Sequence, residues 1–100
     1  MKIIFGNPGS GKTKALLEQS AKNNIPVLCE SAARVQRLLV KAEGYGYKIP
    51  APLTFDELNE SVSVVYIDDI KRVLEAVLNI RLAGITINND DLEIVDLDAK

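Results

Sequence analysis

Gly6-Asn7-Pro8-Gly9-Ser10-Gly11-Lys12-Thr13 matches the pattern Gly-x-x-x-x-Gly-Lys-[Ser/Thr] at every fixed position. The chemistry of this set is anion binding. Its glycines permit φ values and close approaches that a Cβ would block. Backbone N–H groups along such a loop, and at the start of a helix opened by it, are unpaired and partly positive. A chain of phosphates can lie among them. Lys12 would reach the β- and γ-phosphates as a point charge, and Thr13 would offer its hydroxyl to Mg²⁺. The competing reading is a Gly-rich turn with an exposed lysine. The flanks favour the first. Lys2-Ile3-Ile4-Phe5 is short, apolar and β-branched, whereas Lys14-Ala15-Leu16-Leu17-Glu18-Gln19 consists of good helix formers.

A phosphate loop needs a magnesium-organising acid before it can support hydrolysis. Val64-Val65-Tyr66-Ile67-Asp68 has the form of a buried strand delivering an aspartate to its C-terminal tip. In open parallel sheets ligands gather at the carboxyl ends of strands, so Asp68 and the loop are expected on one edge. Asp68 would hold Mg²⁺, directly or through water; otherwise it caps the following helix. Asp69 occupies the position where many ATPases carry a water-polarising glutamate. It is either a short catalytic base or a first-turn residue complementing the helix dipole. Arg34, Arg37, Arg72 and Arg81 fall on predicted helices and none stands in an obvious finger position, so an arginine acting on the site would come from a neighbour.

The elements that must carry these groups alternate as α/β. After the first helix Asn23-Asn24 supplies a stop, and Ile25-Pro26-Val27-Leu28-Cys29 reads as a short buried strand with Pro26 near its start. Ser31 can cap a second helix with Val35, Leu38, Leu39 and Ala42 along one stripe, ended by Gly44. Residues 44 to 53 form a loop in which Tyr45 and Tyr47 either stack on a base or pack back on the domain. Thr54 and Glu57 have capping-box spacing. Val62 to Ile67 is the strongest strand signal. The next helix carries Ile70, Val73, Leu74, Val77 and Leu78 on one face and is closed by Gly84. Ile85-Thr86-Ile87 and Leu92-Glu93-Ile94-Val95 are too close for a parallel crossover, which predicts a C-terminal β-hairpin.

Composition bounds the rest. One hundred residues make one domain, residues 1–100, with a limited core. Apolar residues at 47% and charged residues at 26% are ordinary for a soluble globular chain. No apolar run is long enough to span a bilayer, and the first residues are too short for a secretory signal. The single cysteine, Cys29, fits a reducing cytoplasm, and the absence of histidine argues against a zinc site. A net charge of −2 exerts no global pull on nucleic acid, although Arg34, Arg37, Lys41 and Lys48 form a basic stretch. Such a face touches nucleic acid or another subunit, or is simply solvated.

Taken together, Gly6 to Thr13, Val64 to Asp69 and Leu53-Thr54-Phe55-x-x-Leu58 make the chain resemble a small P-loop NTPase of the RecA type, the core shared by superfamily 1 helicases. The first two segments correspond to the Walker A and Walker B motifs, and the order of segments extends the likeness over residues 1–88. Small stand-alone proteins of this kind occur in bacteriophages and mobile elements. The resemblance implies a three-layer fold with a mostly parallel sheet. Ile85-Thr86-Ile87 would then lie between the first strand and the acidic strand, with Asn88 or Asn89 near the γ-phosphate as a polar sensor or as turn residues. It implies Mg²⁺-dependent ATP binding, with hydrolysis slow or stimulated by a partner protein, nucleic acid or a second copy. Helicase motor motifs and a second RecA-like domain are lacking here. A non-hydrolysing regulatory module is the alternative, and a small-molecule kinase would need a lid that is not evident.

Overall fold

In the computed structural model, which describes residues 1–98, three helices pack with two small parallel sheets. Strand β1 (Lys2–Phe5) leads into the Gly-rich loop, and helix α1 (Lys12–Asn23) leaves it. The chain turns at Asn24, whose left-handed backbone lets its N–H reach the Ser20 carbonyl. Strand β2 (Val27–Cys29) follows, and then α2 (Ala32–Tyr45), β3 (Leu53–Thr54), a 3-10 turn (Phe55–Glu57), β4 (Tyr66–Ile67), α3 (Ile70–Leu78) and β5 (Glu93–Asp96). In one sheet β2 lies between β3 and β4; in the other β1 pairs with β5, Lys2 opposite Glu93 through Phe5 opposite Asp96.

Local chemistry explains most boundaries. Ser31 caps α2, its hydroxyl accepting from the Arg34 N–H at 3.1 Å. The Thr54–Glu57 capping box forms: the Glu57 carboxylate accepts from the Thr54 N–H at 3.0 Å and from its hydroxyl at 2.9 Å. Those bonds, the backbone one foremost, hold the Glu57 carboxyl below its usual range. The core is Leu17, Val27, Cys29, Leu38 and Ala42, with Val35, Tyr47 and Tyr66 packed around it. The stripe read along α2 therefore faces inward at Leu38 and Ala42. Tyr47 packs back as one reading held, while Tyr45 is exposed with the Lys14 ammonium 5.4 Å from its ring centre.

Four expectations are corrected. Helix α2 continues through Gly44 and closes at Gly46, where φ is 79°. A glycine inside a helix costs only about 1 kcal/mol, whereas the left-handed closing position strongly favours one. The strand expected over Val62–Ile67 is confined to Tyr66–Ile67, because β2 offers only a short edge. Pro26 lies just before β2 and lacks an N–H, contributing only its carbonyl to the Tyr66 N–H. Helix α3 ends at Leu78, capped by left-handed Asn79 rather than by Gly84. The Glu75 carboxylate accepts from the Leu82 N–H at 2.7 Å and so folds the outgoing chain back; this bond first, and then Lys71, lowers the Glu75 pKa. On the predicted face of α3 only Val73 is buried, while Ile70, Val77 and Leu78 are exposed.

The C-terminal β-hairpin is the fourth. Ile85 and Ile87 are 57% and 45% exposed and Ile85–Ile87 is not a strand, so it does not lie between β1 and β4. Instead β5 adds in parallel to β1, anchored by the Met1 ammonium on the Asp91 carbonyl and the Glu93 N–H on the Met1 carbonyl. The apolar edge of β1 thus takes its partner from the far end of the chain. Among the described residues no helix is long and apolar enough to cross a membrane.

Cys29 ends β2 inside the core, and burial pushes its thiol up to about 11 from 9.0, with Glu30 adding to the effect. The neutral thiol is therefore the form that the fold prefers. Its contribution to stability is complete below pH 9 and is lost as pH rises toward 11, when the unfolded chain ionises first. A thiol reagent at pH 8 is expected to label native protein far more slowly than denatured protein. Equal labelling rates in the two states would place Cys29 outside the core.

Candidate functional site

The Gly-rich loop bridges the tip of β1 and the start of α1. Gly11 stands at the head of α1 with φ of 92°, a conformation strained for any side chain, and no side chain caps that helix. Its first N–H groups are thus left to whatever lies in front of them. At Gly6 a Cβ would run into the Ser10 side chain, whose hydroxyl would have to turn away. Ser10 Oγ is buried there and has no hydrogen-bond partner among the described residues. Lys12 Nζ turns back over the loop and donates to the carbonyls of Gly6 and Asn7, each at 2.8 Å. Asn7, Pro8 and Gly9 form the exposed crest, and the Asn7 N–H donates to the Asp98 carboxylate.

Asp68 follows β4, which lies in a different sheet from β1. Thr13 Oγ1 donates to its carboxylate at 3.2 and 3.3 Å, joining residues 55 positions apart. The capping alternative for Asp68 fails, because the cap of α3 is Asp69: its carboxylate accepts from the Arg72 N–H at 3.3 Å and pairs with Arg72 Nε at 3.6 Å. The left-handed backbone at Asp69, with φ of 56°, turns the chain between the two acids. Asp68 therefore faces α1 and α2, and Asp69 is half-exposed with its carboxylate occupied by α3. Asp69 stands one residue before the first turn expected for it, as the N-cap of α3.

Sequence reasoning missed Arg34 as part of this cluster. It lies near the start of α2, and its guanidinium forms an ion pair with Asp68. Their side chains are only 13% and 10% exposed. The signal was present: Arg34 sits four residues before the core residue Leu38, on the same helical face, just after the Ser31 cap. A helix that buries Leu38 must carry Arg34 toward the tip of the central strand. Asn88 and Asn89 lie in the exposed stretch before β5, where Asn89 accepts from the Leu92 N–H in a turn. Arg72 pairs locally with Asp69, and Arg37 and Arg81 are exposed.

Among the described residues no group of three or more Asp, Glu, Cys or His side chains is placed to hold a metal unaided. An ion here would draw on Thr13, Asp68 and oxygens from a ligand. A shallow hollow of about 340 Å³ lies instead beside α3, lined by Asp69, Lys71, Arg72 and Glu75, which already pair with one another. Comparison with protein-family models, with curated proteins and with solved structures returned no match.

Proposed function

We propose that the chain binds a nucleoside triphosphate, ATP in the first instance, with Mg²⁺ at the Gly6–Thr13 loop, in the manner of a small P-loop NTPase of the RecA type. One observation carries this reading: the Thr13 hydroxyl and the Asp68 carboxylate, from separate segments, meet at 3.2 Å beside the uncapped head of α1. The remaining groups fit. The partnerless Ser10 hydroxyl and the free N–H groups of α1 can receive phosphate oxygens, and Lys12 is held at the loop with its charge available. Thr13 and Asp68 would hold Mg²⁺, which typically takes one or two protein oxygens and completes its shell with phosphate and water. When bound, the ion neutralises charge on the transferring phosphate.

The chain's own residues then divide the work. The loop N–H groups and Lys12 orient the phosphates, and Thr13 and Asp68 fix the face they present. Nothing in this arrangement frees Asp69 to orient water, since α3 uses its carboxylate. That observation favours slow hydrolysis, or a binding module that does little chemistry, over a fast ATPase. A role beside nucleic acid or a partner protein would draw on Arg37 and Lys41, both exposed on α2.

Asp68→Asn tests the reading. Asparagine keeps the shape but gives up the charge that attracts Mg²⁺, so the Mg²⁺ midpoint for ATP binding is expected to rise about tenfold. Calorimetric titration of ATP at a series of Mg²⁺ concentrations measures it. An unchanged midpoint rejects the metal role for Asp68. Phosphate release with and without single-stranded DNA separates an ATPase from a binding module.

A further inference from the structure

We infer that Arg34 is the counter-ion of Asp68 in the nucleotide-free protein and competes with Mg²⁺ for that carboxylate, so that it sets the Mg²⁺ concentration at which nucleotide binds. The inference rests on the nucleotide reading of the site. Its warrant is the crowding around one side chain. Asp68 Oδ2 accepts from both the Arg34 guanidinium and the Thr13 hydroxyl, and the cluster is largely closed to water. Asp68 is the acid with which Arg34 forms an ion pair among the described residues.

Mg²⁺ demands near-octahedral oxygen ligands and loses its water reluctantly. A doubly charged ion cannot settle on an Asp68 oxygen beside a guanidinium that is sheltered from solvent without strong repulsion, because the screening that water provides is mostly absent. Arg34 must therefore leave when the ion arrives. Its base cannot move far: the Arg34 N–H is fixed by the Ser31 cap, and Leu38 pins the same helical face in the core. The movement falls on the side chain alone. Triphosphate supplies the compensating charge, so that cation and nucleotide are expected to bind together rather than in sequence. Arg34 is thus a positioning residue, acting through Asp68.

The experiment uses the full chain with Arg34→Gln and Arg34→Lys, a non-hydrolysable ATP analogue and a Mg²⁺ series read by calorimetry, beside thermal melts without ligand. Loss of one charge-assisted contact to Asp68 is expected to lower the Mg²⁺ midpoint about tenfold in Arg34→Gln and by less in Arg34→Lys. The ligand-free melting temperature is expected to fall in Arg34→Gln, which leaves Asp68 unpaired, and to recover in Arg34→Gln combined with Asp68→Asn. The Mg²⁺ response separates competition from a purely structural role, which would lower the melting temperature but leave the midpoint where it was. Should Arg34→Gln fold poorly, Arg34→Lys keeps the charge and still reports the midpoint. Nucleotide bound with an unchanged or raised midpoint overturns the inference while leaving the nucleotide reading intact. Failure of the wild-type chain to bind the analogue at any Mg²⁺ concentration overturns both.

Discussion

Lys12→Ala is expected to weaken Mg²⁺–ATP binding by about ten- to a hundredfold, the loss of roughly 1.5–3 kcal/mol from one charge-assisted contact. Two consequences act in the same direction. The ammonium no longer meets the phosphates, and the loop loses the bonds that Lys12 makes to the Gly6 and Asn7 carbonyls. Because the Asn7 carbonyl is exposed and the Gly6 carbonyl only part-buried, global stability should change little. Calorimetry on both proteins at saturating Mg²⁺ is the measurement. Equal affinities would mean that the loop is a turn with an exposed lysine and that nucleotide, if bound, sits elsewhere.

The largest effect on stability is expected at Leu38→Ala. Leu38 is fully buried against Leu17, Val27 and Ala42, where α1, α2 and β2 converge. Truncating a core leucine costs about 2–5 kcal/mol in lost transfer energy and residual cavity. For a domain of this size the total stability is about 5–15 kcal/mol, so the variant loses a large share of it. The melting temperature should drop by about 10 °C or more, with the denaturant midpoint falling and the slope unchanged. Val40→Ala on the exposed side of the same helix is the control, expected to lie within about 0.5 kcal/mol of wild type. A Leu38→Ala cost below about 1 kcal/mol would show that α2 does not pack as described.

What was legible in the sequence depended on how local its cause was. The Asn24 turn, the Ser31 cap and the Thr54–Glu57 box are each settled by a few neighbouring residues, and all three form. The stripe on α2 was readable because helical periodicity is a short-range signal, and it correctly marked Leu38 and Ala42 as core. Thr13 and Asp68 meet although β1 and β4 lie in separate sheets, so the expected single sheet that was to bring them to one edge is not what joins them. Strand extent was not legible, because a strand is as long as its partner allows and the short edge of β2 left Val62–Val65 unpaired. The partner of β5 was not legible either: a short link suggests a hairpin, but Ile85–Ile87 forms no strand to complete one. Arg34 was placed on the right helix with the wrong role, since charge alone does not reveal which acid it will meet.

The β1–β5 pairing carries a consequence for the order in which the chain can assemble. The strand that presents the Gly-rich loop finds its hydrogen-bonded neighbour at the opposite terminus, and the loop contact from Asn7 to Asp98 spans 91 residues. Closing a segment of that length in an otherwise open chain costs about 4 kcal/mol in loop entropy. The α2 and β2–β3–β4 contacts close far shorter segments, so they can form first and shorten the remaining search. During synthesis the loop must wait for β5, which follows most of the other elements, to emerge. The Gly-rich loop is made before β2, β3 and β4 and is locked in place after them.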